Sequence, residues 1–85
     1  MTSKQQARKT AIDDLLAYLL TRLDPDPSKS VSLYWLLEGY AYESGFSIRT
    51  LKEYAFILDS ANKIDVTSHG YEPKVRRVDE ASEVR

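Results

Sequence analysis

Between Leu37 and Phe56 the chain reads LEGYAYESGFSIRTLKEYAF, a stretch whose spacing suits two helices meeting at a tight turn. Ala41, Gly45 and Leu51 stand at offsets of four and ten residues. The small side chain of Ala41 allows a second helix to cross close to the first. Gly45 can adopt the left-handed backbone that ends one helix and opens a tight turn. Ser47 can then cap the next helix by accepting a bond from one of its free backbone amides. Leu51 points back into the angle between the helices as the apolar knob that fixes it. The spacing predicts two helices joined by a short turn.

The residues downstream narrow the reading. Thr50 to Leu58 (TLKEYAFIL) has apolar residues at Leu51, Ala55 and Leu58, and is followed by Asn62-Lys63-Ile64. Asn62 can visit positive φ, and Ile64 gives an apolar start to a strand. Over residues 7–78 this pattern resembles the winged helix-turn-helix domains, in the compact single-domain form of regulators found in archaea, their viruses and plasmids. Asn62 stands where glycine is usual in that family. The resemblance implies an α+β fold, three helices followed by a two-stranded β-hairpin wing. It also implies sequence-specific binding of double-stranded DNA by a small transcriptional regulator acting as a homodimer. Helix 48–61 would lie in the major groove and the wing, 63–78, on the backbone or in the minor groove. The alternative is a winged helix used for protein–protein contact within a larger assembly.

Eighty-five residues allow one small domain with a modest core. The 42% hydrophobic content is too high for a wholly disordered chain. With no cysteine there is no disulfide, thiolate metal site or cysteine nucleophile. No apolar run approaches the roughly 20 residues of a membrane span. Asp13 and Asp14 interrupt what would otherwise pass for a signal-peptide core. A soluble, cytoplasmic protein is expected.

The net charge of −1 argues against a chain that coats nucleic acid, but its distribution says more. Residues 1–11 carry Lys4, Arg8 and Lys9 with no acid, whereas residues 12–43 carry two bases against six acids. Residues 44–78 carry Arg49, Lys52, Lys63, Lys74, Arg76 and Arg77 against four acids, and the tail, 79–85, carries one base against three. The two positive segments are those a winged helix presents to DNA.

Along the chain, residues 1–6 are polar and expected to form a flexible N-terminus. From Ala7, apolar residues at Ala11, Ile12, Leu15, Leu16, Leu19, Leu20 and Leu23 repeat at three and four, predicting a helix whose outer face carries Asp13, Asp14, Ala17 and Thr21. Asp24-Pro25-Asp26-Pro27 ends it. Val31 could form a short strand, and Ser32 could cap a second helix over 33–43. On that helix Leu33, Leu36, Leu37 and Tyr40 share the inner face. Trp35, Gly39 and Tyr42 lie opposite, either lapping over neighbouring elements or forming an exposed aromatic patch around a glycine notch. In the third helix, 48–61, Ile48, Leu51, Ala55 and Leu58 face inward. Lys63 to Thr67 alternates as a strand, 68–71 forms a turn, and Lys74 to Val78 returns. The tail after Val78 is expected to be a disordered acidic segment.

The resemblance assigns roles to particular residues. Arg49, Lys52, Glu53 and Phe56 belong to the groove-facing side of the third helix, where side chains read base edges. Ser47 and Thr50 could bind phosphate at its start. In the wing, His69, Tyr71, Lys74, Arg76 and Arg77 could hold the backbone; Arg76 and Arg77 could equally be a solvated sheet edge that discourages aggregation. Pairing is expected through the first helix, at Ile12, Leu15, Tyr18 and Leu19, with the Trp35 stripe as the other candidate. Enzyme activity is not expected: His69 is the one histidine, no carboxylates pair in a pocket-forming pattern, and the three glycines form no phosphate loop. Nothing in the sequence calls for a metal, cofactor or small-molecule ligand.

Overall fold

Helix α1 (Thr2–Arg22) spans 21 residues, about 31 Å at the usual rise per residue. This is the computed structural model of the chain, and it describes residues 2–67 and 72–78, with side chains from Lys4 onward. The expected turn at 68–71 and the tail at 79–85 lie outside the described residues. The helix begins five residues earlier than expected. Its first turns hold Lys, Gln, Ala and Arg, which are good helix formers, and no breaker precedes Ala7. Lys4 to Thr10 are all exposed, and Lys9 reaches Asp13 one turn on, at 2.8 Å.

The acidic connector that ends α1 is tied by its own side chains. Asp24 accepts from the Asp26 amide at 2.8 Å, and Asp26 accepts from both the amide and hydroxyl of Ser28. Those bonds from Ser28 hold the Asp26 carboxyl below its ordinary pKa. Strand β1 (Val31–Ser32) follows, and the Ser32 hydroxyl accepts from the Trp35 amide to cap α2 (Leu33–Ser44). Gly45 closes α2 at φ 83°, and Ser47 opens α3 (Ile48–Ser60). The left-handed turn and both serine caps fall where the sequence places them.

The end of α3 is a double-bonded cap. Asn62, at φ 64°, donates to Asp59, and Lys63 donates back to Leu58. This is the Schellman pattern, with Asn62 supplying the left-handed residue. The cap uses the Lys63 amide, so β2 (Asp65–Thr67) starts two residues later than the alternation suggests. The return strand β3 (Lys74–Arg76) is also shorter than expected.

The sheet has three antiparallel strands in the order β1-β3-β2, rather than the two of a simple wing. Val75 in the central strand faces both Val31 and Val66, and the Leu33 amide extends the β1 edge by donating to Pro73. The fold is therefore α+β, three helices with a small antiparallel sheet. The Asp59 carboxylate accepts from the Val66 amide at 3.1 Å, fixing the sheet to the end of α3.

The core draws Leu15, Leu19 and Leu23 from α1, Leu33, Leu36 and Leu37 from α2, and Leu51, Ala55 and Leu58 from α3. Ile64 and Val75 close it from the sheet side. Each fully buried leucine contributes about 1.5–3 kcal/mol relative to exposure. Ile48 does not join them and is 37% exposed. It is the first residue of α3, beside the turn, and the inward stripe starts one turn later at Leu51.

Candidate nucleic-acid interface

The Gly45 turn and the Ser47 cap set the start of α3. Gly45 donates to Ala41, Ser44 accepts from the Phe46 amide, and Ser47 accepts from the Thr50 amide at 3.2 Å. The Ser47 hydroxyl also donates to the Thr50 hydroxyl at 3.0 Å, so Ser47 is committed to the helix start. Thr50 keeps its own hydroxyl hydrogen for an outside acceptor.

Leu51, Ala55 and Leu58 bury one side of α3, so the other side faces out. That side carries Arg49, Glu53, Phe56 and Ser60, all exposed. Among the described residues Arg49 makes no hydrogen bond or ion pair. Lys52 lies on the flank, half-buried, with its ammonium 5.2 Å from the centre of the Tyr34 ring. A lysine on an aromatic face loses little of its attraction for phosphate. Phe56 and Ile57 are 41% and 36% exposed, an apolar element beside the charged one.

The wing arginines are placed differently. Arg76 pairs with Asp65 across the β2–β3 register at 2.7 Å, both side chains partly exposed. Arg77 turns away from the sheet and donates to the Asp24 carbonyl at 3.1 Å and to the Leu20 carbonyl. These oxygens belong to the last turn of α1 and the residues just past it, where carbonyls have no helical partner. Arg77 is therefore a cap on α1, not a free wing cation, and Arg76 is half-neutralised. Lys74 remains exposed on β3. His69 and Tyr71 lie outside the described residues.

Of the residues expected to pair on α1, two lie within this chain's own core. Leu15 and Leu19 have no exposed area, so they hold this chain's own core. Ile12 is partly buried against that core and lines a groove with Arg8, Lys9 and Ile57. Tyr18 packs on Tyr40, ring centres 4.7 Å apart, and the Arg22 guanidinium lies 4.1 Å from the Tyr18 ring centre. Its hydroxyl fills the notch at Gly39: a Cβ placed there would stand 2.8 Å from it. Burial, with help from Asp14 and Glu43, raises the pKa of the neighbouring Tyr40.

Two of these features escaped the sequence reading. The Arg77 cap joins residues too far apart in the chain for any local pattern to mark. The Tyr18–Gly39 fit was signalled only by the glycine, which also suited an open notch. On α2, Trp35 and Tyr42 face solvent at 68% and 92% exposure, as the helical phase predicts.

Among the described residues no group of three or more His, Cys, Asp or Glu is placed to hold a metal ion, and no helix is long and apolar enough to cross a membrane. Comparisons with protein-family models, curated proteins and solved structures gave no match to this chain.

Proposed function

We propose that this chain binds double-stranded DNA sequence-specifically, as a small homodimeric regulator of winged-helix type, with α3 in the major groove. The observation that carries the reading is the outer face of α3, where Arg49 is exposed and unpaired among the described residues on a helix anchored by its opposite side. The order of elements and the pairing of β1 with β3 support a winged helix.

In this geometry Arg49 pairs bidentately with guanine, Glu53 accepts from a cytosine amino group, and Phe56 meets a thymine methyl. Lys52 and Thr50 hold phosphate at the groove edge, and Lys74 adds a backbone contact from the sheet. Arg76 and Arg77 keep the structural roles described above. With a net charge of −1, the non-specific component of binding is weak and base reading carries most of the selectivity. Selection from a random duplex library tests this: the reading expects enrichment of a two-fold site with half-sites about one helical turn apart. A library that emerges unchanged from its input defeats it.

A second reading, contact with another protein through the aromatic face, is favoured by the exposure of Trp35 and Tyr42. Failed selection together with capture of a defined partner by that face would establish it instead.

A further inference from the structure

We infer that the outer face of α2 is the surface through which two copies of this chain pair, with Trp35 of each copy against Tyr42 of the other in an antiparallel helix pair. This rests on the homodimer part of the function proposed above and not on its DNA part.

Helix α1 offers no comparable outward apolar face. Leu15, Leu19 and Leu23 are taken up by the core, Ile12, Leu16 and Leu20 are partly buried against it, and Tyr18 packs on Tyr40 with Arg22 over its ring and its hydroxyl at Gly39. The α2 face, by contrast, is apolar, exposed and regular. Trp35 and Tyr42 lie seven residues apart, two turns of one stripe, with Glu38 and Gly39 between them. An antiparallel copy centred between Glu38 and Gly39 brings each Trp35 opposite a Tyr42. A two-fold interface requires such a patch, which must complement itself.

Charge gives the second argument. Beside Trp35 lies a recess of about 340 Å³ whose lining includes both Arg22 and Glu38. One base and one acid border the same recess, yet they form no ion pair with each other in one copy. Across a two-fold axis, the Arg22 of each copy meets the Glu38 of the other, and both pairs form at once. A surface of single sign would fit an oppositely charged partner; this one fits itself. The area also suffices for a weak dimer. The exposed parts of the two aromatic side chains on both copies supply roughly 600 Å². The surrounding residues carry the total toward the ~1,200 Å² lower end of specific interfaces.

Sedimentation equilibrium of the full chain from about 1 to 100 μM tests the inference. The wild type is expected to pass from the 9.7 kDa chain mass to twice that value across the range. Trp35→Ala with Tyr42→Ala should stay at the single-chain mass while its thermal unfolding is nearly unchanged, since both side chains are exposed. Glu38→Arg should weaken pairing about tenfold, because two symmetric ion pairs are lost and like charges face each other. Adding Arg22→Glu to Glu38→Arg should restore it to within a few-fold. A dimer untouched by all these variants would leave the homodimer standing and overturn this face. A wild type that stays at 9.7 kDa throughout would overturn both.

Discussion

On the outer face of α3, Arg49 is exposed and its side chain makes no hydrogen bond or ion pair among the described residues, and Glu53, Phe56 and Ile57 beside it are also open to solvent. At the far end of α1, Arg77 and Tyr18 are tied in. Arg77 closes the carbonyls of Leu20 and Asp24, Arg22 covers Tyr18, and the Tyr18 hydroxyl fills the space over Gly39. Both regions contain basic and aromatic residues. The difference lies in whether their polar groups are already satisfied, because a guanidinium bonded to two carbonyls must lose those bonds before it can serve a ligand. Basic residues in the sequence therefore do not map directly onto basic surface.

The largest effect that would test this contrast is on stability. Arg77→Ala leaves the Leu20 and Asp24 carbonyls without their charged donor, at a cost of about 2–3 kcal/mol. For a domain of this size that lowers Tm by roughly 10 °C or more. DNA affinity measured well below the transition should hold. An unchanged Tm with weakened DNA binding would return Arg77 to the wing surface.

Gly39→Ala sharpens the closed side of the comparison. Alanine gains about 1 kcal/mol in helix propensity over glycine. Here its methyl meets the Tyr18 hydroxyl, the far end of a side chain that must shift, so the gain in thermal unfolding is expected to fall short of that value. In a Tyr18→Phe background the hydroxyl is gone and the same substitution should recover the full gain. Equal effects in both backgrounds would show that the notch is open.

The smallest effect belongs to Arg76→Ala, which removes a partly exposed pair with Asp65. Chemical denaturation should shift by about 0.5 kcal/mol or less. A loss above about 2 kcal/mol would mean that this pair, too, is an internal clamp.

How far these features could be read from the sequence depends on the range of the interactions behind them. The Gly45 turn, the Ser32 and Ser47 caps, the positive φ at Asn62 and the inner faces of the helices, Ile48 excepted, follow from interactions within a few residues. They are legible for that reason. The third strand was visible only as an apolar Val31 in a connector, since its partner Val75 comes far later in the chain. Leu15 and Leu19 illustrate the limit for surfaces. An apolar helical stripe marks what is buried, and only the packed structure tells that it is buried within one chain. Of the candidate interface, the outward set on α3 was legible from helical phase. The loss of Arg77 from the wing was not, because a cap on a distant helix leaves no local pattern.

The proposed binding rests on free charge on α3, with Lys74 adding one contact from the wing and Arg76 and Arg77 adding none. Salt titration of binding to a duplex carrying the preferred site tests it most directly, comparing the wild type with Arg49→Ala plus Lys52→Ala and with Arg76→Ala. The account predicts that the α3 pair weakens binding and flattens the dependence on salt by about 1–2 units of slope, with Arg76→Ala close to wild type. A flattened slope for Arg76→Ala alone, or a wild type that binds no duplex at low salt, would contradict it.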